Sequence, residues 1–230
     1  MMLCLLCGRV LTPHYSLQTL LLARQFYYDA ICETCSHDFE RINSSTACPA
    51  CYRAQTCGKL CSDCQRYQTL KIAKATNRSL FSYNSAMHDY FQAYKRHGDY
   101  RIRRVFSGSL RGALTAYSRD YLFVPIPTSR EHFEKRQFDP VLGLYEGLCP
   151  MTPLLIKNGR EWHQSTLERK MRLEAPQTFE CVRVDWTKFR RQRILILDDI
   201  YTTGTTLLRA TDALREGNFQ GEIQSLTLAR

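Results

Sequence analysis

Apolar and polar positions along this chain fall into two regimes that meet near Thr76. Over residues 1–68 the apolar positions keep no sustained period, and only residues 17–28 space them as a short helix would. Beyond Thr76 the spacing becomes regular. Residues 80–83 read as a strand, and residues 85–96 place Met87, Tyr90, Phe91 and Tyr94 at helical intervals. Residues 101–117 predict a second helix with Ile102, Val105, Phe106, Leu110, Ala113 and Leu114 along one side. A short apolar strand over 121–124 is stopped by Pro125 and Pro127, and 154–156 offers another. The clearest buried strand is 193–197. A glycine-containing turn follows it, then a helix over 205–216 that ends at Gly217-Asn218, and 223–228 alternates as a closing strand. Strands separated by helices predict an α/β fold with a mainly parallel sheet flanked by helices.

The turn after that buried strand carries the most chemistry. Ile194, Leu195, Ile196 and Leu197 suit a strand buried on both faces, and Asp198 and Asp199 stand at its C-terminal end, where open α/β sheets bind ligands. Thr202, Thr203, Gly204, Thr205 and Thr206 then lead into a helix. Such a turn offers backbone N–H groups, hydroxyls and the positive end of a helix dipole to one phosphate. The paired carboxylates would repel that phosphate, but they suit vicinal ribose hydroxyls and a Mg²⁺ shared with pyrophosphate oxygens. No Gly-x-x-x-x-Gly-Lys is present, so the chain is not a P-loop motor.

The turn resembles the signature of type I phosphoribosyltransferases: a hydrophobic strand, an acidic pair and a Thr/Gly-rich loop. The resemblance implies that Asp198 and Asp199 are the catalytic pair facing the ribose hydroxyls of phosphoribosyl pyrophosphate. It implies too that Thr202–Thr206 hold the 5-phosphate. Phosphoribosyl transfer also needs cations around the departing pyrophosphate. Lys135 and Arg136 are candidates, with Arg130 behind them, and Lys95 is a third at a helix end closed by Gly98. Residues 160–172, with Trp162, His163 and several cations, resemble a hood over an active site. The same residues suit stacking and phosphate pairing with single-stranded nucleic acid.

Cysteine usage sets the first 70 residues apart. Nine of the eleven cysteines lie between residues 4 and 64, and eight of them form Cys-x-x-Cys pairs at Cys4/Cys7, Cys32/Cys35, Cys48/Cys51 and Cys61/Cys64. Four such pairs in a polar segment predict two tetrathiolate zinc sites rather than a thioredoxin-like redox centre. The expected pairing joins the first two pairs and the last two, as in consecutive zinc ribbons. Interleaving, or Cys57 as a substitute ligand, stays open. The expected zinc is structural, because four thiolates leave no open coordination position. We therefore expect a double zinc-ribbon domain over 1–70 and a phosphoribosyltransferase-like domain over 71–230.

Charge and hydropathy add two constraints. The net charge of +10 falls almost wholly beyond residue 70, and each tetrathiolate zinc would give the head about −2 more. A basic body suits phosphate-bearing partners. No apolar run reaches the roughly 18–20 residues that span a bilayer, and no secretory signal is evident, so a cytoplasmic location is expected, at most held at the inner face of the membrane by partners.

Cys-x-x-Cys pairs, Lys95-x-x-Gly98-Asp99, Val124-Pro125-Ile126-Pro127 with a following Arg, and Asp198-Asp199-Ile200-Tyr201-Thr202-Thr203-Gly204-Thr205-Thr206 occur in the order seen in ComF/GntX-type proteins. The resemblance covers nearly the whole chain. It implies a role in natural transformation: uptake and handling of single-stranded DNA beside the helicase-like competence protein ComFA and other uptake or recombination proteins. It leaves two other functions open, a phosphoribosyltransferase acting on an unidentified acceptor and a sensor of phosphoribosyl pyrophosphate. The chain departs from the family at Arg136-Gln137-Phe138-Asp139, where Arg-Gly-Phe-Asn is usual. A missing Gly would bar a close backbone approach or a positive φ, and a carboxylate at 139 would oppose pyrophosphate.

Overall fold

The computed structural model describes residues 2–11, 28–70, 72, 75–117, 120–157, 177–189 and 193–230. Nearly all of the expected 17–28 helix, and the whole 160–172 hood, lie outside the described residues. The first elements are a small antiparallel hairpin, β1 (Met2–Leu3) and β2 (Val10–Leu11), then the single turn α1 (Glu33–Ser36) and the helix α2 (Ser62–Thr69). The body is a four-stranded sheet of β3 (Thr76–Phe81), β4 (Tyr121–Pro125), β7 (Arg193–Ile200) and β8 (Glu222–Ala229), in the order β3-β8-β7-β4 with every pair parallel. This is the expected phosphoribosyltransferase-like α/β architecture. Between β4 and β7 run the short antiparallel strands β5 (Leu155–Lys157) and β6 (Phe179–Cys181).

Alternation along β7 divides the core in two. Leu195 and Leu197 face α3 (Ser85–Lys95), α4 (Ser107–Leu114) and α6 (Pro140–Tyr145), together with Phe81, Phe123, Leu226 and Leu228. Ile194 and Ile196 face α7 (Thr205–Glu216) with Leu122, Val124, Leu207 and Leu214. All four β7 aliphatics are fully buried, each stabilising the fold by about 1.5–3 kcal/mol relative to exposure. The remaining helix, α5 (Arg130–Arg136), follows β4 across the proline-bounded loop.

Several boundaries differ from the sequence expectation, and β7, expected over 193–197, runs on through Asp198 and Asp199 to Ile200. The strand expected at 80–83 begins earlier, at Thr76, because its polar residues have partners: Asn77 donates to Ser79 Oγ at 2.8 Å, Ser79 pairs with Thr227 Oγ1 at 2.7 Å, and Ser225 donates to Asn77 Oδ1 at 2.9 Å. The helix expected over 101–117 is broken into a 3-10 turn at Tyr100–Arg104, α4, and a second 3-10 turn at Thr115–Tyr117. The break admits the Cys-rich segment. Asp29 accepts from Ser109 N at 2.8 Å, near the start of α4, and a Cβ on Gly108 would lie 2.9 Å from Tyr28 Cα.

The Cys-rich residues are packed into the body rather than strung beside it. Phe39 belongs to the same buried cluster as Phe81, Tyr90 and Phe106, with its ring 4.9 Å from that of Phe106. Residues 40–50 run along the outer side of β3, where Ile42 N donates to Leu80 O, Ser82 N to Glu40 O and Asn77 N to Ala50 O. The opposite border strand, β4, is met by Met151 and by Thr152 N, which donates to Phe123 O.

Candidate functional site

The parallel sheet sets the ends of β7 and β4 side by side, with Pro125 paired to Leu197 and Ile126 N donating to Leu197 O. Asp198 and Asp199 emerge at this border. Asp198 is buried, and Lys95, from the last turn of α3, reaches Asp199 with its Nζ 2.6 Å from Oδ2. That ammonium also lies 4.8 Å from the centre of the Phe91 ring. Burial, then the Asp199 charge, pushes the Asp198 carboxyl up to about 8, against the opposing pull of the Asp199 N–H, Lys95 and Lys157. Two adjacent carboxylates at one low-dielectric border cannot both ionise cheaply, so the pair keeps a proton near neutrality. Tyr145, fully buried beneath them, donates to the carbonyls of Asp198 and Leu226.

The hydroxyl-rich turn follows directly. Gly204 adopts φ +81° at the N-cap of α7, a left-handed conformation that favours glycine. Gly204, at the N-cap, has no side chain to cap α7, and the first turn of such a helix directs its N–H groups at the preceding turn, as anion sites require. Thr203 and Thr205 share a hydroxyl contact of 2.9 Å, Thr205 is buried, and Thr202 and Thr206 are more open. The turn and the acidic pair are thus consecutive parts of one border of the sheet.

Among the expected pyrophosphate-side cations, the structure brings Lys95 to the acidic pair. Lys135 stands in the last turn of α5, 68% exposed and 2.5 Å from Glu131, and Arg130 is likewise engaged with Glu134. Arg136 is partly exposed in the same turn. Lys157, at the end of β5, acts on Asp198 and was missed on sequence, because nothing local to 157 marks it.

The two departures from the family pattern have structural answers. Gln137 does adopt the left-handed conformation, at φ +63°, and its side chain donates to Glu134 O at 2.6 Å. Asp139 does not present a bare carboxylate: Oδ1 accepts from Val141 N and Leu142 N as the N-cap of α6, and Oδ2 accepts from Thr128 N at 2.9 Å. The expected repulsion of pyrophosphate is therefore met by three backbone donors that already hold the charge.

The eight paired cysteines gather into two groups, Cys4/Cys7/Cys32/Cys35 and Cys48/Cys51/Cys61/Cys64, each with its sulfurs within 4.8 Å of one another. Contacts of 3.6 Å between Cys7 and Cys32 and 3.5 Å between Cys51 and Cys61 match the ~3.8 Å edge of a tetrahedral Zn–S₄ site. Gly8 and Gly58 take positive φ in the adjoining turns. The donor chemistry fits too. Burial raises the Cys48 thiol, but backbone N–H groups of Cys61, Cys51 and Ala50 outweigh it and bring it down to about 6, while burial holds Cys51 at about 11 despite Arg230. Backbone N–H groups thus prepare one thiolate in each group, Cys4 and Cys48, whereas burial raises Cys35, Cys51 and Cys64, which a cation would favour as thiolates. Bound zinc would supply that charge and a fixed tetrahedral geometry. Cys57 is exposed and outside both groups.

Fold and site together define a phosphoribosyltransferase-type body joined to two cysteine clusters. The family model described as "Phosphoribosyl transferase domain" matches residues 156–230. Over 229 residues, all of both chains, the protein is 34% identical to "Competence protein ComFC" of Streptococcus pneumoniae (strain ATCC BAA-255 / R6). It is 28% identical to "Competence protein ComFC" of Bacillus subtilis (strain 168), covering all of this chain and 95% of that protein. The chain belongs to the ComFC family of competence proteins. Among the described residues no helix is long and apolar enough to cross a membrane.

Proposed function

We propose that the protein serves the competence machinery in the uptake and handling of single-stranded transforming DNA, with a site on its body for Mg²⁺ and phosphoribosyl pyrophosphate. The observation that carries the first half is full-length similarity to two competence proteins at 34% and 28% identity. The basic body supports it, since phosphate neutralisation dominates nucleic-acid affinity. A helicase-like partner of the ComFA kind, and other uptake proteins that hold the chain at the inner face of the membrane, complete the proposal.

The ligand half rests on the turn itself. Thr202–Thr206 and the uncapped start of α7 suit the 5-phosphate, and the acidic pair suits the ribose hydroxyls. Mg²⁺, when bound, would neutralise pyrophosphate oxygens. Lys95 serves as the resident counter-ion of Asp199, a role that Mg²⁺ would share when bound. Calorimetric titration with Mg²⁺ and phosphoribosyl pyrophosphate should show binding by the native chain and none by Asp198→Ala/Asp199→Ala. Retention of binding by that variant would sink the site assignment. Binding of a single-stranded oligonucleotide should weaken steeply with salt; no salt-dependent association would sink the DNA role.

A second reading, phosphoribosyl transfer to an unidentified acceptor, is favoured by Gln137 and Asp139. Gln137 keeps the left-handed turn, and three backbone N–H groups hold the Asp139 carboxylate, which supports a turn shaped as in the family. It requires Mg²⁺-dependent pyrophosphate release with some acceptor.

A further inference from the structure

We infer that the second cysteine cluster is the floor of the phosphate turn, with Tyr67 and Arg230 as the positioning residues that transmit its metal-bound state to residues 201–206. The inference rests on the proposed phosphate role of that turn. It does not extend to the first cluster.

Three contacts build the floor. The helix α2 starts at Cys61, its N-cap, and carries Cys64 buried on its inner side. Tyr67 lies three residues beyond Cys64, on the same side of the helix, and its hydroxyl points to the carbonyl of Thr203 at 3.4 Å. That is a long hydrogen bond, but it joins a residue one helical turn from a metal ligand to the middle of the phosphate turn. The second contact runs through Arg230. Its guanidinium donates to Cys51 O at 2.7 Å and to Cys51 Sγ at 2.9 Å, and it covers the Tyr201 ring at 4.7 Å. The third is the apolar layer itself: all four cysteines of the cluster are buried with Tyr201, Leu207 and Ala210 in the core on the α7 side of the sheet.

The first cluster has no such route among the described contacts. It is joined to the opposite side of the molecule through Ala30 N, which donates to Arg104 O, and through Asp29 at the start of α4. Its ligands are also more open, with Cys7 exposed, whereas all four of the second cluster are buried.

Charge explains why Arg230 belongs to this arrangement. A filled tetrathiolate site carries a net charge of about −2, which would disfavour a phosphate placed above it. A guanidinium on one sulfur offsets part of that charge where it faces the turn. Without the metal, α2 loses the anchor that an eight-residue helix cannot replace by its own hydrogen bonds. Tyr67 then leaves Thr203, and the turn must be ordered at the expense of ligand binding.

The test uses the full zinc-loaded chain. Mg²⁺ and phosphoribosyl pyrophosphate are titrated calorimetrically into the native protein, Tyr67→Ala, Tyr67→Phe and Arg230→Met, with zinc content and amide exchange at 201–206 measured on each. Tyr67→Ala and Arg230→Met should keep both zinc ions, exchange faster at 201–206 and bind about tenfold more weakly, with Tyr67→Phe in between. In parallel, zinc is removed in stages from the native protein, and alkylation mapped by mass spectrometry identifies which cysteines have been released. Release of Cys48, Cys51, Cys61 and Cys64 should coincide with faster exchange at 201–206, and release of the first cluster alone should not. Native-like exchange and affinity in both Tyr67→Ala and Arg230→Met, or loss of turn protection on release of the first cluster alone, would overturn the coupling. If the native chain binds no ligand, it is the ligand reading that fails, and exchange in the ligand-free protein still decides whether the cluster supports the turn.

Discussion

Replacing Asp198 by Asn removes a charge that the fold resists while keeping the shape of the side chain. The carboxyl rises from 3.8 to about 8 on folding, mainly through burial and then through the Asp199 charge. A folded-state value above the unfolded one means stability is fully present below about pH 4 and is lost as pH climbs through about 8. Such a rise corresponds at most to about 6 kcal/mol. That bound already contains the opposing pull of Lys95 and Lys157, and relaxation around the buried pair lowers the expected penalty to about 2 kcal/mol. An amide at 198 escapes it, and its oxygen can still accept from Asp199 N, as Oδ1 does now at 2.9 Å. Asp198→Asn should therefore match the native protein in urea unfolding near pH 4 and gain stability steadily to a plateau above pH 8, of about 2 kcal/mol. Binding of Mg²⁺ and phosphoribosyl pyrophosphate should be lost in the same variant. A gap that does not change with pH, or a variant less stable than native at pH 8.5, would refute the electrostatic account.

Three further perturbations probe the same border. Lys95→Met leaves the largely buried Asp199 without its cation and should cost about 2 kcal/mol in urea unfolding at pH 8; a cost under about 0.5 kcal/mol would show that the pair is effectively solvent-screened. Gln137→Gly should raise stability by about 0.5–1 kcal/mol, because glycine accepts the left-handed conformation without strain, and thermal unfolding reads it directly. Asp139→Ala removes the α6 cap and the tie to Thr128, with an expected loss of about 2 kcal/mol, and Asp139→Asn should fall between it and native because its amide oxygen can still cap α6. Equal losses for Ala and Asn would show that the Thr128 tie, not the cap, matters.

How much of this was legible in the sequence depends on whether a residue's partners lie nearby. The β7–turn–α7 unit was readable because four consecutive aliphatics, an acidic pair and a glycine hinge are local signals, and α7 spans Thr205–Glu216 as expected. β3 was only half readable. Its polar residues Asn77 and Ser79 look like loop chemistry until Ser225 and Thr227 supply their hydrogen bonds from the neighbouring strand. The break before α4 is invisible in residues 101–117 because it is made by Tyr28 and Asp29. Asp139 reads on sequence as a charge near pyrophosphate and is in the fold a helix cap. Tyr67 and Arg230, which lie far apart in the chain, meet the turn only after the cysteine-rich segment has packed against the sheet, so no spacing rule could find them. The cysteine pairs were the opposite case, since each Cys-x-x-Cys is a local turn and only the choice of pairing needed the fold.

The run of residues 40–50 along β3 bears on how the protein would fail. A parallel sheet has two bare borders, each a row of unpaired N–H and C=O groups that invites another chain to add itself. Here Met151–Thr152 shields one, and Glu40, Ile42 and Ala50 shield the other. The second shield lies in the stretch between Cys35 and Cys51, which the two cysteine groups bracket. If zinc fills the two groups as proposed, a chain starved of it would expose that border, and self-association in light scattering should appear on chelation.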